Sequence, residues 1–119
     1  MPRWDLMTST EIGETIASGM DLAILPIGAT EQHGPHLATG CDTVSAETIA
    51  NLAAKKSGAF VLPSIPYGCS LGHTEKWPGT ISLHPMTLTH VVLETSRWVR
   101  NNGIRRRTSS PLHLRFPAP

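Results

Sequence analysis

The sequence predicts an α/β domain built on a mostly parallel sheet with flanking helices. Helix-type and strand-type segments alternate along the chain in the order helix, strand, helix, strand, helix, the pattern of parallel α/β units. The strand-type segments, 22–27 and 59–62, are continuous apolar runs, which suits strands buried on both faces. Each run is followed by a polar loop rich in glycine, where α/β proteins place their sites.

The elements follow in order. Thr8-Ser9-Thr10-Glu11 reads as a capping box, with Ile12 and Ile16 sharing one helical face and Gly19 as the stop. The run from Leu22 to Ile27 is the first strand; Pro26 implies that it ends there or lies at a sheet edge. Asp42 or Thr43 is the expected cap of a second helix through Val44, Ile49, Leu52 and Ala53, with Lys55 and Lys56 in its last turn and Gly58 after it. Residues 59–62 form the second strand, halted by Pro63, and residues 80–83 a short third one. Pro85 suits the first position of a third helix. Its expected inward stripe is Leu88, Val91, Val92, Thr95 and Val99, and Gly103 ends it.

Composition excludes several function classes. Leu, Ile, Val and Phe supply 27 of 119 residues, enough for a packed core, and the length suits one domain. A net charge of +1 gives no electrostatic reason to expect nucleic acid or an anionic membrane. The longest strongly apolar stretch is far short of the roughly 20 residues of a membrane span, and no leader pattern opens the chain, so a cytoplasmic protein is expected. Cys41 and Cys69 do not form a disulfide framework. Neither a G-x-G-x-x-G nor a Walker phosphate loop is present.

The chemistry-bearing residues cluster in the loop after the first strand. Glu31-Gln32-His33-Gly34-Pro35-His36 is followed six residues later by Asp42. In extended backbone Glu31 and His33 point to the same side, and Asp42 arrives at the entry to the next helix. Glu, His and Asp are a mixed nitrogen and oxygen donor set suited to Zn or Mn, and a carboxylate such as Asp42 has two oxygens with which to bridge two ions. The plainer alternative is an ordinary polar loop. His36 is open to three roles: third ligand, substrate contact or loop histidine. A rival donor set is His33, His36, Cys41 and Cys69, although its spacing fits no standard zinc finger. A second loop, Tyr67 to Thr80, carries His73, Glu75 and Trp77. His73 and Trp77 are candidates to line a small-molecule pocket facing the same crevice, the alternative being a structural plug with a solvated histidine. His84 and His90 are expected to cap or decorate the third helix.

The stretch from Leu25 to Leu37, followed by Asp42-Thr43, resembles the signature of the creatininase family, the creatinine amidohydrolases and their relatives. Trp77-Pro78-Gly79-Thr80-Ile81-Ser82-Leu83 resembles a second stretch of that family, and the resemblance extends over about residues 3–106. It implies a three-layer α/β/α sandwich and hydrolysis of a C–N amide bond in a small-molecule substrate. It also implies two divalent metal ions, typically Zn with Mn or a second Zn, and a homo-oligomer, commonly a hexamer. By position it implies Glu31 as ligand of one metal, His33 as ligand of the other and Asp42 as the bridging carboxylate. The loop from Gly72 to Thr80 departs from creatininase proper, which favours a general amidohydrolase reading. After Arg106 the family pattern stops, as after a frameshift or a mispredicted gene end. Residues 1–106 are then the N-terminal part of one domain and 107–119 an irregular tail. His113 sits near the position of the family's second ligand loop without its neighbours. The expectation is an incomplete hydrolase or a non-catalytic remnant, unstable or dependent on a partner chain.

Overall fold

In a computed structural model, residues 2–111 are described. Three strands form one parallel sheet, β1 (Leu22–Ile27), β2 (Phe60–Val61) and β3 (Arg106–Pro111), in the order β2-β1-β3. Helices α1 (Ser9–Ala17) and α3 (Pro85–Asn101) contribute to the core on one face, and α2 (Cys41–Ser57) covers the other. The layers are therefore helix, sheet, helix, as expected.

Strand β1 sends alternate residues to opposite faces. Ala23, Leu25 and Ile27 join Phe60, Leu62, Val99 and Ile104 in one cluster, on which Trp4, Ile12, Ile16 and Val92 pack. Ile24 joins Val61, Ala50, Ala54 and Ala59 in the other. The Trp4 and Phe60 rings meet edge to face at 5.0 Å. The outer edge of β2 is partly covered by the N-terminal segment, where Val61 N–H donates to Pro2 O and Arg3 bridges Val61.

Thr8 caps α1 with the reciprocal Thr8–Glu11 bonds of the predicted capping box. Gly58 takes the left-handed conformation that ends α2, and His84 caps α3 by accepting from the Met86 N–H.

Four expectations are corrected. Pro26 lies in the central strand, not at an edge. Even-numbered residues of β1 hydrogen-bond toward β2, with Leu62 N–H donating to Ile24 O and Ile65 N–H to Pro26 O. The donor that proline lacks therefore falls where β2 has already turned away at Pro63. The inward face of α2 is Asp42, Ala46, Ala50 and Ala54, while Val44, Ile49, Leu52 and Ala53 are exposed. Small residues spaced by four let the helix lie close to the sheet, so size rather than hydrophobicity selects this face. On α3, Val91 turns outward and Ser96 is half-buried. Residues 80–83 form only a single bridge, Thr30 with Ile81.

The irregular tail expected from residue 107 also differs from what is seen. β3 runs beside β1 from Leu22↔Arg106 to Ile27↔Pro111, anchored by Arg106 N–H donating to Asp21 O. Parallel pairing uses main-chain groups, so polar side-chain chemistry does not forbid it, and Pro111 falls at the strand's end. The helix α3 thus has a strand to lead into, through the fully buried Ile104. His113 lies outside the described residues.

Candidate metal centre

The site forms where β1 ends and α2 begins. Gly28 follows β1 directly and is buried; a Cβ there would stand 2.4 Å from the Cα of Thr43. Only glycine lets the first turn of α2 come this close. The contact is sealed by Thr43 Oγ1, which donates to Ala29 O at 3.1 Å. α2 starts at Cys41, with Gly40 as an N-cap that supplies no side-chain bond. The capping expected of Asp42 or Thr43 is therefore not seen, because both side chains are used across the loop instead. Asp42, 7% exposed, sits in the first helical turn, where the helix dipole favours a negative charge.

His33 Nδ1 lies 2.7 Å from the carbonyl oxygen of Glu31. A carbonyl only accepts, so Nδ1 carries the proton and the Nε2 lone pair faces outward. That lone pair points to Asp42 Oδ1 at 3.6 Å. Neither atom brings a proton to the gap between them, so a proton or a cation would suit it. The spacing exceeds a hydrogen bond, and is near the roughly 3.4 Å that separates nitrogen and oxygen ligands on one tetrahedral zinc. Cys41 completes the group: the ligand atoms of His33, Cys41 and Asp42 all lie within 4.8 Å of one another. Burial, first, and then the neighbouring Asp42 and Glu31 carboxylates push the Cys41 thiol above its ordinary range. The residues present thus fit a divalent cation, in donor chemistry and in spacing.

Glu31 stands beside this cluster, its carboxylate turned to the second loop. Oε2 accepts from Ser70 Oγ at 3.1 Å, and Oε1 lies 3.2 Å from His73 Nε2. Gln32 Nε2 donates to His73 Nδ1 at 3.0 Å, which leaves the His73 proton on Nε2, aimed at Glu31. The main chain of Gln32 is held in turn by Thr80 Oγ1, at 3.0 Å. The Trp77 ring lies 6.3 Å from that of His73. Both loops therefore meet at Glu31. His36 is exposed, outside these contacts.

Of the sequence candidates, the structure joins His33 to Asp42, and Glu31 to His73. Ser70 and Gln32 went unnoticed as site residues. Their contacts span 39 and 41 residues, a separation that no local pattern encodes. Cys41 stood only in the rival donor set, whose other members His36 and Cys69 are exposed and outside the cluster.

The Gly-bounded β1–α2 junction gathers imidazole, carboxylate and thiol donors into a candidate metal centre on a parallel α/β sheet. The chain belongs to the creatininase family, whose description, creatinine amidohydrolase, matches residues 5–113. It is 34% identical over 104 residues to creatinine amidohydrolase of Pseudomonas putida, spanning 84% of this chain and 40% of that one. It is 34% identical over 94 residues to a mycofactocin precursor peptide peptidase of Mycolicibacterium smegmatis, spanning 74% of this chain and 38% of that one. A crystal structure of creatininase superposes with a TM-score of 0.83 at 33% identity, over 89% of this chain and 42% of the other. Creatininase structures of a zinc–zinc type and of a manganese form superpose equally well, at 32% identity over 89% of this chain and 43% of theirs. The chain spans about 40% of the length of these relatives.

Proposed function

We propose that this chain supplies the first part of a metal-dependent amidohydrolase centre, which hydrolyses a C–N amide bond in a small molecule such as creatinine, a related cyclic amide or a formamide. The observation that carries this reading is the face-to-face placement of His33 Nε2 and Asp42 Oδ1 at 3.6 Å, in a chain of the creatininase family. His33 would hold one ion and Glu31 a second, with the two oxygens of Asp42 able to serve both. Divalent zinc or manganese supplies, when bound, an activated water and a Lewis acid for the amide carbonyl.

The chain's own residues do the rest. The Glu31 carbonyl fixes the His33 tautomer, so that Nε2 is always the donor atom. Ser70 and His73 hold the Glu31 carboxylate and set its orientation. His73, 45% exposed on its side chain, carries its Nε2 proton at the rim of the crevice, where a departing amine would need one. Trp77, beside it and exposed, offers an apolar wall for a flat substrate.

A two-ion centre needs more donors than these, since a catalytic zinc usually has three protein ligands and a water. Turnover therefore requires ligands beyond the described residues. The second reading, a chain that binds metal or a partner without turnover, is favoured by one observation. Among the described residues a single group of three or more His, Cys, Asp or Glu side chains converges at ligand distance.

Joining this chain to the C-terminal part of the P. putida enzyme separates the two. The fusion should hydrolyse creatinine or another amide in the presence of zinc or manganese, and Glu31→Gln should lower its metal content. A folded, metal-loaded fusion that hydrolyses no amide would favour the second reading, and one that retains no metal would overturn both.

A further inference from the structure

Cys41 is the donor that the family resemblance leaves without a role. It opens α2, half-buried, and its S–H donates to Asp42 Oδ1 at 3.8 Å. The sulfur thus approaches the same carboxylate oxygen that faces His33 Nε2 at 3.6 Å. On one tetrahedral zinc, sulfur and oxygen ligands stand about 3.6 Å apart and nitrogen and oxygen ligands about 3.4 Å apart, from ordinary zinc–ligand lengths. These two separations exceed those values by about 0.2 Å, and the third, sulfur to imidazole nitrogen, lies within 4.8 Å. Asp42 is 7% exposed and rigidly carried by α2, so the pair is held by the helix rather than by loop geometry.

We propose that Cys41 is a metal ligand in this chain, completing with His33 and Asp42 a three-donor nitrogen, sulfur and oxygen set that selects a thiophilic divalent ion such as zinc over manganese. The inference rests on the metal-centre reading above and sharpens it. Three protein donors leave one tetrahedral position open, the arrangement of catalytic rather than structural zinc. Thiolate is a soft donor, favoured by zinc and disfavoured by manganese, which prefers oxygen. Coordination displaces the thiol proton to solvent, so zinc uptake releases one more proton than it would at a set lacking the cysteine. Cys69 is exposed and outside the cluster, and serves as an internal control.

The test is cobalt(II) substitution of the metal-free full chain, read by absorption and by bound-metal content, for the unaltered chain, Cys41→Ser and Cys69→Ser. The expected result is a sulfur-to-cobalt charge-transfer band in the unaltered chain and in Cys69→Ser, and its loss in Cys41→Ser. Zinc affinity should fall about ten- to a hundredfold in Cys41→Ser, with manganese affinity changed by less than about threefold. Bound cobalt without the band overturns the ligand role of Cys41 and leaves the metal-centre reading standing; a chain that takes up no cobalt overturns that reading itself. Should Cys41→Ser fail to fold, iodoacetamide labelling of the unaltered chain decides. One equivalent of zinc should slow alkylation of Cys41 about tenfold while Cys69 reacts at its metal-free rate. Equal labelling of Cys41 with and without bound zinc refutes the proposal.

Discussion

Gly28→Ala should dismantle the proposed metal centre without touching a proposed ligand. The added Cβ would stand 2.4 Å from Thr43 Cα and 2.3 Å from Thr43 Oγ1, with Thr43 Cβ at 2.7 Å. Relaxed carbon contacts are about 3.5–4.0 Å, so the first turn of α2 must retreat by about 1 Å. The Cα of Thr43 is main chain, so no rotamer change relieves the clash. Overpacking of this kind costs about 1–3 kcal/mol. The retreat also carries Cys41 and Asp42 away from His33. It would stretch the 3.6 Å separation of His33 Nε2 and Asp42 Oδ1 toward about 4.6 Å, when metal sites tolerate only about 0.2 Å. Metal affinity should fall on the order of 10–100-fold, the loss that follows removal of a ligand's support. The assay is urea unfolding of the metal-free chain, paired with zinc titration of the folded one. A variant with an unchanged urea midpoint and unchanged zinc affinity would refute the reasoning that the Gly28–Thr43 contact sets the site.

Gly13→Ala is the opposite case: nothing lies within 4 Å of the added Cβ, and the position is inside α1. It should stabilise the chain by about 0.5–1 kcal/mol in the same urea assay. Arg106→Ala tests the anchor of β3. The Arg106 guanidinium bonds Asp21 Oδ1 at 2.6 and 2.9 Å and holds that carboxyl below its usual range, first through the hydrogen bonds and then through charge. A carboxyl lowered in the folded state contributes stability above its unfolded value of about 3.9, and that contribution disappears as pH falls through the folded value. The unaltered chain should therefore exceed Arg106→Ala in stability at neutral pH, and the two should converge in acid; a gap that widens in acid contradicts the pairing.

Much of the fold was legible locally. The apolar run of β1, the Thr8–Glu11 box and the glycines after α1 and α2 are short-range signals, and each does in the structure what its chemistry suggests. The errors came from long-range packing. Which face of α2 turns inward depends on how closely a helix can approach a sheet, so Ala46, Ala50 and Ala54 displaced the larger Val44 and Leu52. Pro26 was read from its missing donor, without knowledge that its neighbour strand would already have turned away. The polar β3 was unreadable because its pairing is main chain to main chain with a strand 84 residues earlier (Leu22↔Arg106). Glu31, His33 and Asp42 stood out through spacing and family resemblance. Their surroundings, Ser70 and His73 on Glu31 and Cys41 on Asp42, depend on two loops meeting and on where the first turn of α2 falls.

On the proposed reading, the β1–α2 junction holds a divalent cation through His33 and Asp42. The direct measurement is zinc and manganese content after dialysis, by elemental mass spectrometry, of the unaltered chain, Asp42→Asn and His33→Ala, with far-ultraviolet circular dichroism confirming the fold of each. The unaltered chain should retain metal, and both variants should lose it while remaining folded. Equal metal content in all three, or none in the unaltered chain, would contradict it.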